Sequence, residues 1–225
     1  RLRSRGLGDV YKRQQLNYGI HQRISQAMDR AYSQVNSIME QAASLIRRKE
    51  EATRTFGPTE SYKRRQIEEL ISFANSDDLW ISPSNLNIEF LSKGGENEVY
   101  TGNEDIVVKL NNFEYAGDDL ENFFIRIAAH NKFFGNVPYQ MIGFSYNSQQ
   151  EFCAVLTQPY ILAEREATED EIIVYMEALG FEMDYIDEFH NNDYEVFDAV
   201  PNNVLYGIDG DLYFIDTQIR LRTQS

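Results

Sequence analysis

Asp198, Asn203 and Asp216 stand in the stretch "FDAVPNNVLYGIDGDLYFIDT" at successive spacings of five and thirteen residues. Two carboxylates and a carboxamide are hard oxygen donors, the kind that hold Mg²⁺ together with phosphate oxygens. A D-x-x-x-x-N segment followed, past a hairpin, by another Asp suits phosphoryl transfer from ATP: Asp198 would face the incoming hydroxyl, and Asn203 and Asp216 would be the metal ligands. The five-residue loop turns Asp198 and Asn203 toward one point. The segment "VLYGIDGDLYFI" then runs out and back through Asp209-Gly210, a strong hairpin signal, and returns Asp216 beside Asn203. Taken singly, each of the three reads better as a turn former or strand cap; together, with Lys109 upstream, they favour the phosphoryl-transfer reading.

The same chemistry needs a cover over the phosphates and a cation against them. Gly94 and Gly95 in "KGGENEV" lie in a turn between two expected strands, where backbone without Cβ can approach a phosphate, and Val99 can close over an adenine ring. "IVVKL" puts Lys109 on the same face of a strand as Val107, so its ammonium lies beside the apolar surface that would receive the nucleotide. An acid at the start of the next helix should pair with it. Glu121 is the choice, with Asp118 and Asp119 as rivals, although first-turn acids also serve simply to complement a helix dipole. "LTQPYI" stands where backbone groups could meet the adenine edge, at Gln158 and Tyr160, with Pro159 removing one N–H. His130 and His190 have no acidic or cysteine partner at metal-ligand spacing and read as ordinary helix and loop residues.

These residues must be positioned by a mixed α+β fold. β-type segments are expected at Ile88 to Leu91, Glu98 to Thr101 and Ile106 to Leu110, separated by "KGGEN" and "GNED" turns. A helix follows with Leu120, Phe123, Phe124, Ile127 and Ala128 on one stripe, then the strands "YQMIGFSY" and "EFCAVLTQPY". "TEDE" at 168–171 is a capping box that opens a helix ending at Gly180. Ahead of all this, Ile24, Met28, Ala31, Val35, Ile38, Ala42 and Leu45 form a narrow seam on a helix from about 16 to about 53, of coiled-coil type, with weak helical self-association as its implication. "FGPTE" breaks that helix. The expected organisation is therefore 1–14, 15–57 as a helical segment, and 58–225 as the chemistry-bearing domain. Residues 1–14 read as the translation of a transposon-end adapter, an assembly artefact outside fold reasoning.

Composition bounds the possibilities. With 42% hydrophobic and 13% aromatic residues the chain is of the globular class. Its one cysteine, Cys153, can build neither a disulfide nor a cysteine zinc site and reads as a buried hydrophobe. No apolar stretch approaches the roughly 20 residues of a membrane span, and a cytoplasmic protein is expected. Residues 58–225 carry ten basic and 31 acidic side chains, within an overall net charge of −15. Such a field repels nucleic acid and favours basic protein or peptide partners and metal ions.

The strings "GGENEVY", "KLNNFEYAGDDLENFF", "GFSYNSQQEFCAVLTQPYI", "EATEDEIIVYMEALGF" and "FDAVPNNVLYGIDGDLYFIDTQI" resemble the kinase domain of bacterial polyvalent proteins, large proteins of phages and mobile elements, over about residues 62 to 222. The resemblance implies a protein-kinase-like fold, an antiparallel small-lobe sheet with one packed helix. It also implies ATP-dependent phosphotransfer to Ser, Thr or Tyr, with Lys109, Asp198, Asn203 and Asp216 in the roles argued above. Three features depart from ordinary kinases. Val196-Phe197 replaces the usual His-Arg before the catalytic Asp, Asp216-Thr217-Gln218 replaces D-F-G, and nine residues follow Asp216, so either the chain is cut short or a minimal kinase with a reduced C-terminal part is expected. Two rivals stand beside the protein kinase: a nucleotide-binding pseudokinase serving as an interaction module, and a small-molecule kinase or nucleotidyltransferase on the same scaffold.

Overall fold

The computed structural model describes residues 37–53, 59–86, 88–101 and 106–222. Residues 1–14, the expected helix as far as residue 36, the break at 54–58 and the "GNED" turn at 102–105 lie outside the described residues. The described chain divides into two units, residues 37–128 with 138–160 and residues 129–137 with 161–222. It is a mixed α/β protein in which every strand pair is antiparallel. Among the described residues no helix is long and apolar enough to cross a membrane.

In the first unit, β1 (Glu89–Lys93), β2 (Asn97–Thr101), β3 (Ile106–Asn111), β4 (Gln140–Tyr146) and β5 (Phe152–Pro159) pair in the order β1-β2-β3-β5-β4. β5 is buried at every residue but its last, so its sequence "FCAVLTQP" runs apolar instead of alternating. β1, at the sheet edge, is exposed throughout. One face of the sheet presents Ala154, Leu156, Met141, Phe144 and Phe152 to a cluster that includes Leu120, Phe123, Phe124 and Ile127. Three of those last four belong to α3 (Glu121–Phe133), where steps of three and four keep them on one side. Ala128, expected on the same stripe, is exposed, because it lies about a quarter turn away from Ile127. The other face carries Val108, Leu110, Val155 and Cys153, whose thiol is pushed up to about 12 by burial.

Helices α1 (Ser37–Thr53) and α2 (Thr59–Ser76) join the first cluster through Ala42, Ala43 and Ile46, and through Leu70 and Ala74. The expected seam ran through Ile38, Ala42 and Leu45. The buried edge lies slightly round from it, and this part of the apolar face is used inside the unit.

The second unit contains β6 (Ala163–Glu166), α4 (Glu169–Ala178), β7 (Glu182–Tyr185), β8 (Glu188–His190), β9 (Tyr194–Phe197), β10 (Val204–Gly207), β11 (Leu212–Phe214) and β12 (Gln218–Leu221). They make two small sheets, β11-β10-β6 and β12-β9-β8-β7. α4 opens on a complete capping box: Glu171 N donates to Thr168 Oγ1 at 3.3 Å and Thr168 N donates to Glu171 Oε2 at 2.9 Å. Its core stacks Phe134 on Phe214 at 4.2 Å between ring centroids, with Tyr175, Phe189, Val196, Val204 and Ile219 around them. Gly210, at φ 79°, supplies the left-handed residue of the β10–β11 turn.

Candidate functional site

The second unit holds the three polar residues of the opening stretch. β9 ends at Phe197, which pairs with Gln218 of β12, and this register places the residue after β9, Asp198, beside the one before β12, Thr217. A single 3₁₀ turn at Pro201–Asn203 then leads into β10, and Val204 pairs with Phe214 of β11. Ile215 N donates to Asn203 O at 2.9 Å. Asp216 lies between these two links, one residue past the Ile215–Asn203 hydrogen bond and one before Thr217. Asn203 is buried, and its Nδ2 donates to Asp198 O at 3.0 Å, closing the loop across its five-residue span. Asp198 itself is exposed and left-handed at φ 59°, a conformation that Asp adopts more readily than most residues.

The donor set is oxygen only, and among the described residues no group of three His, Cys, Asp or Glu side chains could hold a metal ion. One carboxylate and one carboxamide suit Mg²⁺, which keeps several waters and shares its remaining positions with substrate phosphates. Asn203 Oδ1 also accepts from Asn202 Nδ2 at 3.2 Å. Beside Asp216, Thr217 is buried, and its Oγ1 has no hydrogen-bond partner among the described residues.

The first unit holds the other candidates. Lys109 on β3 pairs directly with Val99 on β2 and with Leu156 on β5, and Val107 pairs with Gln158. Directly paired residues share a face, so Val99, Val107, Lys109, Leu156 and Gln158 line one side of the sheet. Val99 and Val107 are half-buried there, while Lys109 and Gln158 are buried. The Lys109 ammonium donates to the Tyr139 hydroxyl at 3.1 Å and lies 5.1 Å from the centre of that ring. Tyr139 had no signal in the sequence. It stands just before β4, a strand that reaches β3 only through β5, and no local spacing announces such a contact.

Gly94 and Gly95 lie in the β1–β2 turn, closed by Gly94 N donating to Asn97 O at 2.8 Å. A Cβ on Gly95 would meet the hydroxyl of Tyr115, an exposed side chain that can swing aside. Among the acids at the head of α3, Asp119 is engaged as a cap: its Oδ1 accepts from Glu121 N at 2.8 Å and from Gln66 Nε2 at 2.7 Å. Asp118 is exposed, and Glu121, half-buried, lies 4.0 Å from Arg47 Nη1. Tyr160 stands exposed just beyond β5. A further ion pair, unforeseen from the sequence, joins Glu96 of the glycine turn to Arg126 of α3.

His190 departs from expectation. It lies on strand β8, not in a loop, and the β7–β8 hairpin brings Asp184 Oδ2 to 2.8 Å of its Nδ1 and Glu182 Oε2 to 3.8 Å of its Nε2. Cross-strand pairing, which sets Glu182 opposite His190, brings together residues that are eight apart in the chain.

Residues 63–223 match the model of a family described as serine/threonine/tyrosine kinase found in polyvalent proteins. No curated protein matches the chain.

Proposed function

We propose, for a chain that belongs to the family of serine/threonine/tyrosine kinases found in polyvalent proteins, that it binds ATP with Mg²⁺ and transfers the γ-phosphoryl group to a protein hydroxyl. The observation that supports this reading is the pair of backbone links flanking Asp216, β12 against β9 on one side and Ile215 N donating to Asn203 O on the other, within the segment that carries Asp198 and Asn203. In this reading the five-stranded sheet with α3 is a kinase small lobe. Val99 and Val107 offer the apolar surface for adenine, and the backbone at Gln158 and Tyr160 meets its edge. Gly94 and Gly95 let the backbone approach the phosphates. Lys109 lies against those phosphates, oriented by the Tyr139 hydroxyl, with Glu121 as the carboxylate that completes its setting. Asp198 orients the substrate hydroxyl and accepts its proton. Asn203 and Asp216 would hold the metal, whose part is to neutralise phosphate charge as it develops. The acidic balance of residues 58–225 favours a basic protein substrate.

A second reading, a pseudokinase that binds nucleotide without transfer, draws support from the Asn202 amide already engaging Asn203 Oδ1. The two part on one experiment, ATP binding and label transfer with Mg²⁺, comparing the wild type with Lys109→Ala and Asp216→Ala. The kinase reading expects both variants to lose transfer, with Asp216→Ala also losing the Mg²⁺ dependence of binding. Binding without transfer by the wild type would favour the pseudokinase, and label carried by AMP would favour a nucleotidyltransferase. A wild type that neither binds nor transfers above the variants would sink the reading.

A further inference from the structure

Arg126 sits in the second turn of α3, and its Nη2 donates to Glu96 Oε1 at 2.5 Å. The pair is withdrawn from water, the Arg126 side chain being 12% exposed and that of Glu96 4%. Glu96 takes only one of the guanidinium's three nitrogens. Nε and Nη1 of Arg126, and Oε2 of Glu96, are buried with no hydrogen-bond partner among the described residues. A guanidinium carries five N–H donors, and buried donors of a charged group left unmet are expensive. Arg126 is thus half-used, a cation fixed in place with hydrogen-bonding capacity to spare.

Its location says what could use that capacity. Glu96 directly follows Gly94 and Gly95, and its own carbonyl accepts from Asn112 N at 2.9 Å, pinning the turn to the chain just past β3. Arg126 is therefore held beside the glycine turn. It lies in the same unit as Lys109, on the helix that packs against Lys109's side of the sheet. We infer that Arg126 is a second phosphate-binding cation of the nucleotide cover and that Glu96 is its positioning partner. This rests on the nucleotide-binding reading above. Before ligand arrives, Glu96 keeps the buried guanidinium from standing as an isolated charge. When a polyphosphate lies against the glycine turn, its oxygens take up Nε–H and Nη1–H while Glu96 keeps Nη2.

Titration of the full chain with ATP, tripolyphosphate and adenosine, in the wild type, Arg126→Met and Arg126→Lys, tests this. Arg126→Met should weaken ATP and tripolyphosphate about tenfold or more, and leave adenosine unchanged, since only the phosphates lose charge-assisted hydrogen bonds. Arg126→Lys keeps the ion pair with Glu96 but not the directed N–H groups, and should show the same selective loss in smaller measure. It also decides the matter if the Met variant does not fold. Equal weakening of adenosine and ATP would mean that Arg126 only holds the turn in place, and unchanged binding of all three would mean that it has no part. Either result overturns the inference while wild-type ATP binding still stands. A wild type that binds no ATP overturns the nucleotide reading itself, and this inference with it.

Discussion

Thr217 and Lys109 show how far single side chains shape the site. Thr217, which follows Asp216 where D-F-G would have Phe, is buried, and its hydroxyl has no partner among the described residues. Burying a hydroxyl unpaired costs about 1–3 kcal/mol. Thr217→Val, nearly the same shape without the hydroxyl, should therefore stabilise the protein by about 1 kcal/mol, seen as a higher urea midpoint at unchanged slope. A destabilised variant would show that the hydroxyl has a partner in solution. Lys109 is the opposite case, a buried cation that keeps its charge company through the Tyr139 hydroxyl and ring. The type and spacing of Asp198, Asn203, Asp216 and Lys109 are plain in the sequence because each stands in a short local segment. Tyr139 and Arg126 act through contacts made only after the strands have paired, and no spacing rule reaches them.

Two carboxylates act on whole elements, one in each unit. Glu98 of β2 is almost wholly buried. Burial pushes its carboxyl up, but hydrogen bonds from Ser148 Oγ and N, Lys93 and Tyr100 outweigh that and hold it at about 2. Glu171 closes the capping box of α4, and the bidentate Arg165 guanidinium, at 2.8 and 2.7 Å, holds it at about 2 against the upward push of burial. Both pKa values are depressed on folding from the usual 4.5, so their stabilisation is complete above about pH 4.5 and is lost as pH falls toward 2. Thermal unfolding followed from pH 6 to pH 2.5 should show stability falling below pH 4.5, with a shallower fall in Glu98→Gln; an identical slope in that variant would contradict the account. The sequence displays the capping box, the β1–β3 meander and the β10–β11 hairpin clearly, since each is local. It hides β6, β7, β8, β9 and β12: these are strands of three or four residues, several rich in Glu and Asp, with too little apolar alternation to stand out. Yet β9 and β12 are the pair that bring Asp198 toward Asp216.

Over the whole molecule, the family match spans residues 63–223, and both units contribute candidate residues, Lys109 and the glycine turn from one and the Asp198–Asp216 loop from the other. Residues 58–225 carry ten basic against 31 acidic side chains, a balance that would suit a basic acceptor protein. The central claim is that Asp198 takes the proton of an attacking hydroxyl while other residues hold the nucleotide. Transfer of the γ-label from ATP to a basic acceptor protein, measured beside ATP affinity for the wild type and Asp198→Asn, tests it most directly. The account predicts that Asp198→Asn binds ATP like the wild type but transfers label at least a hundredfold more slowly, in line with the ~10²–10⁴-fold contribution of a positioned general base. Equal transfer by the two proteins, or a loss of transfer that merely follows a loss of ATP binding, would contradict it.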